Sequence, residues 1–278
     1  SALVRRALAE DLGSGFFRKG IDVTSSAIFS GKEKAVFTLI AKDDGVLCGI
    51  DPFEAVFRRL DRFARVERYF EDGARLKKGD IVARVRGRLT AILSGERTAL
   101  NLVSHLSAVA TKAQAFASAL GGKPAILDTR KTIPGMRVLQ KYAVKTGGAQ
   151  NHRIGLFDMV LIKDNHVDAA GGVKAAVARA RKRWGKKFKI EVETRTLDEV
   201  AEAIESKADR IMLDNMDNAT MKKAVALVAG RAETEASGNM TLERLASLAD
   251  TGVDFVSFGE LTQTVKVFDF SLKEESCE

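Results

Sequence analysis

Between residues 128 and 166 the chain carries three blocks in which cationic side chains follow short apolar runs: Asp128-Thr-Arg-Lys-Thr, Gly147-Gly-Ala-Gln-Asn-His-Arg and Leu161-Ile-Lys-Asp-Asn-His. Their bases are Arg130, Lys131, Arg153 and Lys163. A guanidinium grips a carboxylate or phosphate through two parallel N–H donors and a lysine adds a point charge, so the set suits a small ligand with several anionic groups. His152 adds a donor that is neutral or cationic. Across these 39 residues seven bases face three acids, which leaves +4 of the chain's +8 in one stretch.

Two acids stand out against this background. Glu193 and Asp214 are poor binders of an anionic substrate, because like charges repel; they suit sugar hydroxyls, or a Mg²⁺ that keeps several waters and bridges phosphate oxygens. The competing explanation is that they neutralise Lys163 and its neighbours. Glu191 shares a strand face with Glu193, because side chains alternate, and ranks behind it. Ser237, Gly238 and Asn239 precede a helix starting near Thr241, and Gly259 closes a later strand. Small residues let backbone N–H groups approach a phosphate and a helix N-terminus adds a favourable dipole, although each glycine alone is explained as well by a turn.

For these residues to meet, the chain needs strands that end side by side. From residue 125 onward, β-rich runs begin at Ala125, Met159, Lys189, Arg210, Glu233 and Asp254. Helical periodicity lies between them at residues 197–206, 219–229 and 242–249, with caps at Asn218 and Thr241. The alternation predicts a parallel sheet and a (β/α) barrel with fewer than eight strands. No Gly-x-Gly-x-x-Gly follows a strand, against a dinucleotide site. In a barrel the carboxyl ends of the strands converge on one face, where Arg130, Lys131, Lys163, Glu191, Glu193, Asp214, Ser237 and Gly259 fall.

The first hundred residues read as an α+β module: a helix at 3–12, strands at 34–41, 45–50, 64–69 and 80–85, and a helix at 52–63. A long helix with Leu100, Val103, Leu106, Val109, Ala113 and Phe116 on one face leads out of it. The boundary is placed there, giving domains 1–108 and 109–265. Residues 71–83 resemble the strand-turn-strand of biotin or lipoyl carriers; with nothing else of that pattern present, Lys78-Gly-Asp is read as a turn in a structural hairpin. The Arg181-Lys-Arg183 run is assigned to solvent.

Composition bounds the rest. A 278-residue chain that is 45% hydrophobic and 29% charged can bury the core of one large or two ordinary domains. The apolar runs are too short for a bilayer and the first residues lack the apolar core of a signal peptide, so a soluble, cytoplasmic protein with no membrane partner is expected. Cys48 and Cys277 have neither zinc-site spacing nor disulfide density and are read as free thiols. A pI of 9.5 permits nucleic-acid binding, but aromatics are scarce and no recognition motif is present, so no nucleic-acid partner is expected.

The blocks above, together with Ala9-Glu-Asp-Leu-Gly-Ser-Gly, Asp22-Val-Thr-Ser, Ser94-Gly-Glu-Arg-Thr-Ala-Leu-Asn, Glu191-Val-Glu, Leu213-Asp-Asn, Glu235-Ala-Ser-Gly and Asp269-Phe-Ser-Leu, closely resemble the quinolinate phosphoribosyltransferase family, the carboxylating nicotinate-nucleotide pyrophosphorylases. The resemblance runs essentially end to end. It implies an α/β fold with an incomplete (β/α) barrel and an N-terminal α+β open-sandwich domain that residues 266–278 rejoin. The implied reaction joins quinolinate and phosphoribosyl pyrophosphate (PRPP) into nicotinate mononucleotide with release of pyrophosphate and CO₂, using Mg²⁺, for NAD synthesis. A homodimer with shared active sites, or a higher oligomer built from it, is implied too. Arg97, supplied across the dimer interface, would hold the quinolinate carboxylates with Arg130, His152 and Arg153. Lys131 and Lys163 would contact both substrates and, with Glu193 and Asp214 at the ribose and metal, form the catalytic set. Ser237, Gly238, Asn239 and Gly259 would hold the 5′-phosphate.

The chain departs from the family pattern in extra sequence at residues 16–21, in Ala149-Gln150 where a further glycine is usual, and in Asn239-Met240 for a common Gly-Ile. A sister group associated with molybdate transport and acting on another acid typically lacks the Lys-Asp-Asn-His block retained here. A non-catalytic anion or nucleic-acid binder is the third reading.

Overall fold

The computed structural model describes residues 2–13, 20–120, 124–238 and 240–275. They form two compact units: the described residues of 1–112, 134–147 and 264–278 in one, those of 113–133 and 148–263 in the other. The division cuts the helix Leu89–Ala119 between Lys112 and Ala113. It also gives residues 134–147, which the sequence reading places in the barrel domain, to the first unit.

In the first unit the strands are β1 (Lys34–Ala41), β2 (Gly45–Val46), β3 (Arg65–Arg68), β4 (Arg75–Leu76), β5 (Ile81–Arg88) and, from the end of the chain, β12 (Phe270–Glu274). The four-stranded antiparallel sheet has the order β12-β1-β5-β3, while β2 and β4 pair separately. The C-terminal segment therefore returns to this unit, with Leu39 opposite Leu272. The expected hairpin is corrected: its turn, closed by the Lys77 N–H on Asp80 at 2.8 Å, links strands of two different sheets. The second expected strand stops early because Gly49 adopts φ 101° and starts the helix Ile50–Leu60. Asp72 Oδ1 accepts the Gly49 and Ile50 amides at 2.8 and 3.0 Å and so satisfies donors a helix start leaves open. That helix buries Ile50, Phe53, Val56 and Phe57 at helical spacing.

The second unit holds β6 (Ala125–Leu127), β7 (Val160–Ile162), β8 (Ile190–Thr194), β9 (Arg210–Asp214), β10 (Glu233–Ser237) and β11 (Phe255–Ser257). All pair in parallel in the order β6-β11-β10-β9-β8-β7. The first two strands in chain order lie at the two edges, the arrangement of a barrel left open between them; the bridge Leu127 to Gln150 occupies the gap. The fold is α/β, an incomplete (β/α) barrel with an N-terminal α+β open sandwich. All six strands fall on the expected runs. One cap differs: Asp217, not Asn218, accepts the Thr220 amide at 2.7 Å and starts the helix Asn218–Val228.

Parallel strands are usually apolar on both faces. Here the face toward the helices is apolar, with Ile190, Val192, Ile211, Leu213 and Ala236 fully buried. The alternate positions carry Glu191, Glu193, Arg210, Asp214, Glu233 and Glu235. The Arg181 assignment is also corrected: its guanidinium reaches Asp209 at 2.6 Å and the Gly185 and Lys207 carbonyls, closing the helix Val173–Trp184. Among the described residues no helix is long and apolar enough to cross a membrane.

Candidate active site

A cavity of about 750 Å³ opens at the carboxyl ends of β6–β11, within the range of small-ligand sites. Arg130 and Lys131 reach it from the loop after β6, His152 and Arg153 from the loop before β7, and Lys163 from the end of β7. Glu193, Asp214, Ser237, Gly238 and Gly259 line it from the following strands. The structure thus brings together every expected site residue but two. Asn239 lies outside the described residues, as do residues 16–19 of the extra segment and Cys277. Arg97 is exposed on the helix Leu89–Ala119, in the first unit. The charge of residues 128–166 also divides: Arg137, Lys141 and Lys145 sit on the helix Arg137–Thr146, in that same unit.

Local hydrogen bonds aim the cations. Fully buried Asp128 accepts the His152 N–H at 2.8 Å and the Asn151 side chain at 2.7 Å, fixing the approach to Arg153. Arg153 donates to the Met159 carbonyl at 3.2 Å. Burial and the neighbouring Arg130 hold its pKa below the usual guanidinium value. Two partly desolvated cations this close favour an anion between them. Arg130 Nε is buried and, among the described residues, makes no hydrogen bond, which leaves a donor for a ligand.

Lys163 caps the helix Asp164–Ala170, where His166 Nδ1 accepts its backbone N–H at 2.9 Å. Its ammonium lies 2.7 Å from Glu193, whose side chain is nearly buried. Lys131 is pinned by its carbonyl, which accepts from Thr262 at 2.7 Å. Its chain runs so close to Gly259 that a Cβ there would lie 2.7 Å from Lys131 Cδ. Gly238 has φ +86°, and a Cβ would lie 2.2 Å from Asn215 Oδ1. Asn215 in turn adopts φ 55° and donates to Asp214 at 2.7 Å. Gly238 is therefore needed where the backbone approaches the cavity, whereas a side chain at Gly259 would press only on the flexible end of Lys131.

Below these residues lies a layer of which the sequence pattern shows only Glu191. His152 Nε2 lies 2.9 Å from Glu191 and 3.4 Å from Glu235, and Arg210 donates to Glu235 at 3.1 Å. Against the cost of burial the two carboxylates favour a charged imidazole, but Nδ1 accepts the Arg153 backbone N–H at 2.7 Å, so in this geometry the ring is neutral with its proton on Nε2. Burial, reinforced by Glu235, pushes Glu191 above the ordinary carboxylate range. Glu235 is held low, with burial overcome by His152 and Arg210. The sequence signal was the alternation itself, since Arg210 and Glu235 occupy inward positions where apolar residues are usual.

Two family models cover most of the chain: the quinolinate phosphoribosyl transferase N-terminal domain over residues 22–107 and its C-terminal domain over residues 109–273. The chain belongs to the quinolinate phosphoribosyltransferase family. It is 43% identical to the chloroplastic nicotinate-nucleotide pyrophosphorylase [carboxylating] of Oryza sativa subsp. japonica, over 98% of this chain and 76% of that one. It is 40% identical to the probable nicotinate-nucleotide pyrophosphorylase [carboxylating] of Bacillus subtilis, over 97% and 91%. The crystal structure of NadC from Streptococcus pyogenes matches with a TM-score of 0.92 at 38% identity, covering 99% of this chain and 96% of that one.

Proposed function

We propose that this family member is a pentosyltransferase that moves the phosphoribosyl group of PRPP onto quinolinate and releases pyrophosphate and CO₂, forming nicotinate mononucleotide for NAD synthesis. The observation that carries this reading is the sharing of one cavity by a cationic set, Arg130, Lys131, Arg153 and Lys163, and a polar set, Glu193, Asp214, Ser237, Gly238 and Gly259. A pyridine dicarboxylate and a phosphorylated sugar need those two sets together.

In this reading Arg130 and Arg153 hold the quinolinate carboxylates beside the wall formed by His152, and the Gly238 and Gly259 segments receive the 5′-phosphate with Ser237 and Asn239. Lys131 and Lys163 neutralise the charge that develops on the leaving pyrophosphate, while Glu193 and Asp214 stabilise the cationic ribose carbon that the pyridine nitrogen attacks. The resulting pyridinium accepts the electrons left by CO₂. No covalent enzyme nucleophile is required, and positioning supplies much of the rate.

Two carboxylates at neighbouring strand ends are a hard-oxygen donor set, which fits Mg²⁺ that keeps water and phosphate oxygens as its other ligands. Glu193 and Asp214 would hold it, and when bound it would lend charge stabilisation at the pyrophosphate. The protein is read as cytoplasmic, in keeping with a buried free thiol at Cys48.

Purified protein given quinolinate, PRPP and Mg²⁺ should form the mononucleotide and CO₂ in equal amounts; PRPP consumption without CO₂ would reject the reaction. A homodimer in which Arg97 serves the partner's site is part of the reading. Mixed Arg97→Ala and Lys131→Ala subunits should regain activity that neither homodimer has, and verified heterodimers that stay inactive would reject the sharing.

A further inference from the structure

The inward positions of the barrel sheet carry charge beneath the cavity as well as at its rim. Arg210 stands in register with Glu191 on one neighbouring strand and with Glu233 on the other. Its guanidinium reaches Glu233 at 2.9 Å and Glu235 at 3.1 Å and lies 4.1 Å from the centre of the Phe255 ring. Glu191 and Glu235 have 0% exposure. Buried carboxylates are costly unless opposite charge and hydrogen bonds reach them. His152 Nε2 reaches both. On the opposite edge of the ring, Nδ1 accepts the Arg153 backbone N–H at 2.7 Å. The imidazole is thus engaged by protein on both sides, and it links the buried acids to the backbone of a cavity arginine.

We infer that Glu191, Glu235 and Arg210 are positioning residues for the acid-binding part of the cavity: they clamp His152, and His152 fixes the backbone from which Arg153 meets a substrate carboxylate. This assigns His152 to holding Arg153 in place and deepens the quinolinate reading, on which its kinetic test rests. A metal ion is the rival occupant, since His152, Glu191 and Glu235 bring ligand atoms within 4.8 Å of one another. Arg210 decides against it. Its guanidinium, 3.1 Å from Glu235, already supplies the positive charge that a metal ion would bring to these carboxylates.

Glu235→Gln and Glu191→Gln remove charge with little change of shape. In the intact enzyme each should raise the quinolinate KM by roughly tenfold, as for the loss of one close charged contact, and leave the PRPP KM within about twofold. A lower melting temperature with both KM values unchanged would overturn the inference. A second measurement needs neither turnover nor a stable variant. The chain has three histidines, so the His152 ring N–H can be assigned by nuclear magnetic resonance with His152→Asn. In wild-type protein that proton should sit on Nε2 and exchange slowly with water; free exchange, or a proton on Nδ1 alone, would overturn the clamp. Wild-type protein that does not turn over quinolinate would remove the substrate reading, and the ring proton would still decide whether the clamp exists.

Discussion

The two units fill their interiors on opposite terms. The first packs Leu39, Phe53, Val56, Phe57, Val82, Val85 and Ile92 into one apolar core. The barrel keeps such residues on the helix-facing side of its sheet and turns Glu191, Glu193, Arg210 and Glu235 to the other side. Apolar packing stabilises, because it removes surface from water and fills space. A buried ionic layer contributes little net stability, since desolvation offsets attraction; what it supplies is fixed geometry for groups that must meet a ligand. The contrast therefore separates residues that hold the fold from residues that hold the substrate.

Substitutions can break that contrast or sharpen it. Phe57→Ala should cost the most stability, about 3–5 kcal/mol for a buried aromatic. Phe57 is fully buried and meets Phe53 edge-on with ring centres 5.1 Å apart. Denaturant unfolding checks this, and a loss below about 1 kcal/mol would mean the first core is more tolerant than its packing implies. Arg153→Ala should do the reverse, lowering kcat/KM for quinolinate by about 10²–10³ through loss of a partly buried charge partner, with little change in melting temperature. A large thermal shift with near-normal kinetics would place Arg153 among the structural residues.

Gly238→Ala should act more weakly. A methyl group at a left-handed position costs about 1–2 kcal/mol, and the Cβ would press on Asn215, so the PRPP KM should rise by roughly tenfold. An unchanged value would remove this segment from the phosphate site. The smallest effect is expected at Cys48, whose thiol is pushed up to about 12 by burial and the nearby Asp72. Iodoacetamide at pH 8 should leave Cys48 unlabelled in folded protein, as peptide mapping separate from Cys277 would report; rapid labelling would mean that this part of the core opens readily.

Much of this was legible in the sequence where one rule decided the outcome. The β-rich runs and helical periods of the barrel came through because strand and helix have different repeats. The cationic site residues came through because Arg and Lys at strand ends have few other uses in such numbers. Boundaries set by distant partners did not: the helix Ile50–Leu60 begins where Asp72, remote in sequence, satisfies its amides. The place of the helix Arg137–Thr146 in the first unit was equally hidden, because tertiary contacts assign it and local pattern does not. The clamp around His152 was half visible. Glu191 stands out by its alternation with Glu193, but Arg210 and Glu235 gain meaning only when parallel pairing sets β8, β9 and β10 side by side.

The most direct test of the central claim, that the cavity is built for two adjacent carboxylates beside a phosphorylated sugar, is the ratio of kcat/KM for quinolinate and for nicotinate with saturating PRPP and Mg²⁺. Quinolinate should be preferred by about 10³-fold or more, because an acid lacking the second carboxylate leaves partly buried cations without a partner. Equal efficiencies, or a preference for nicotinate, would contradict it.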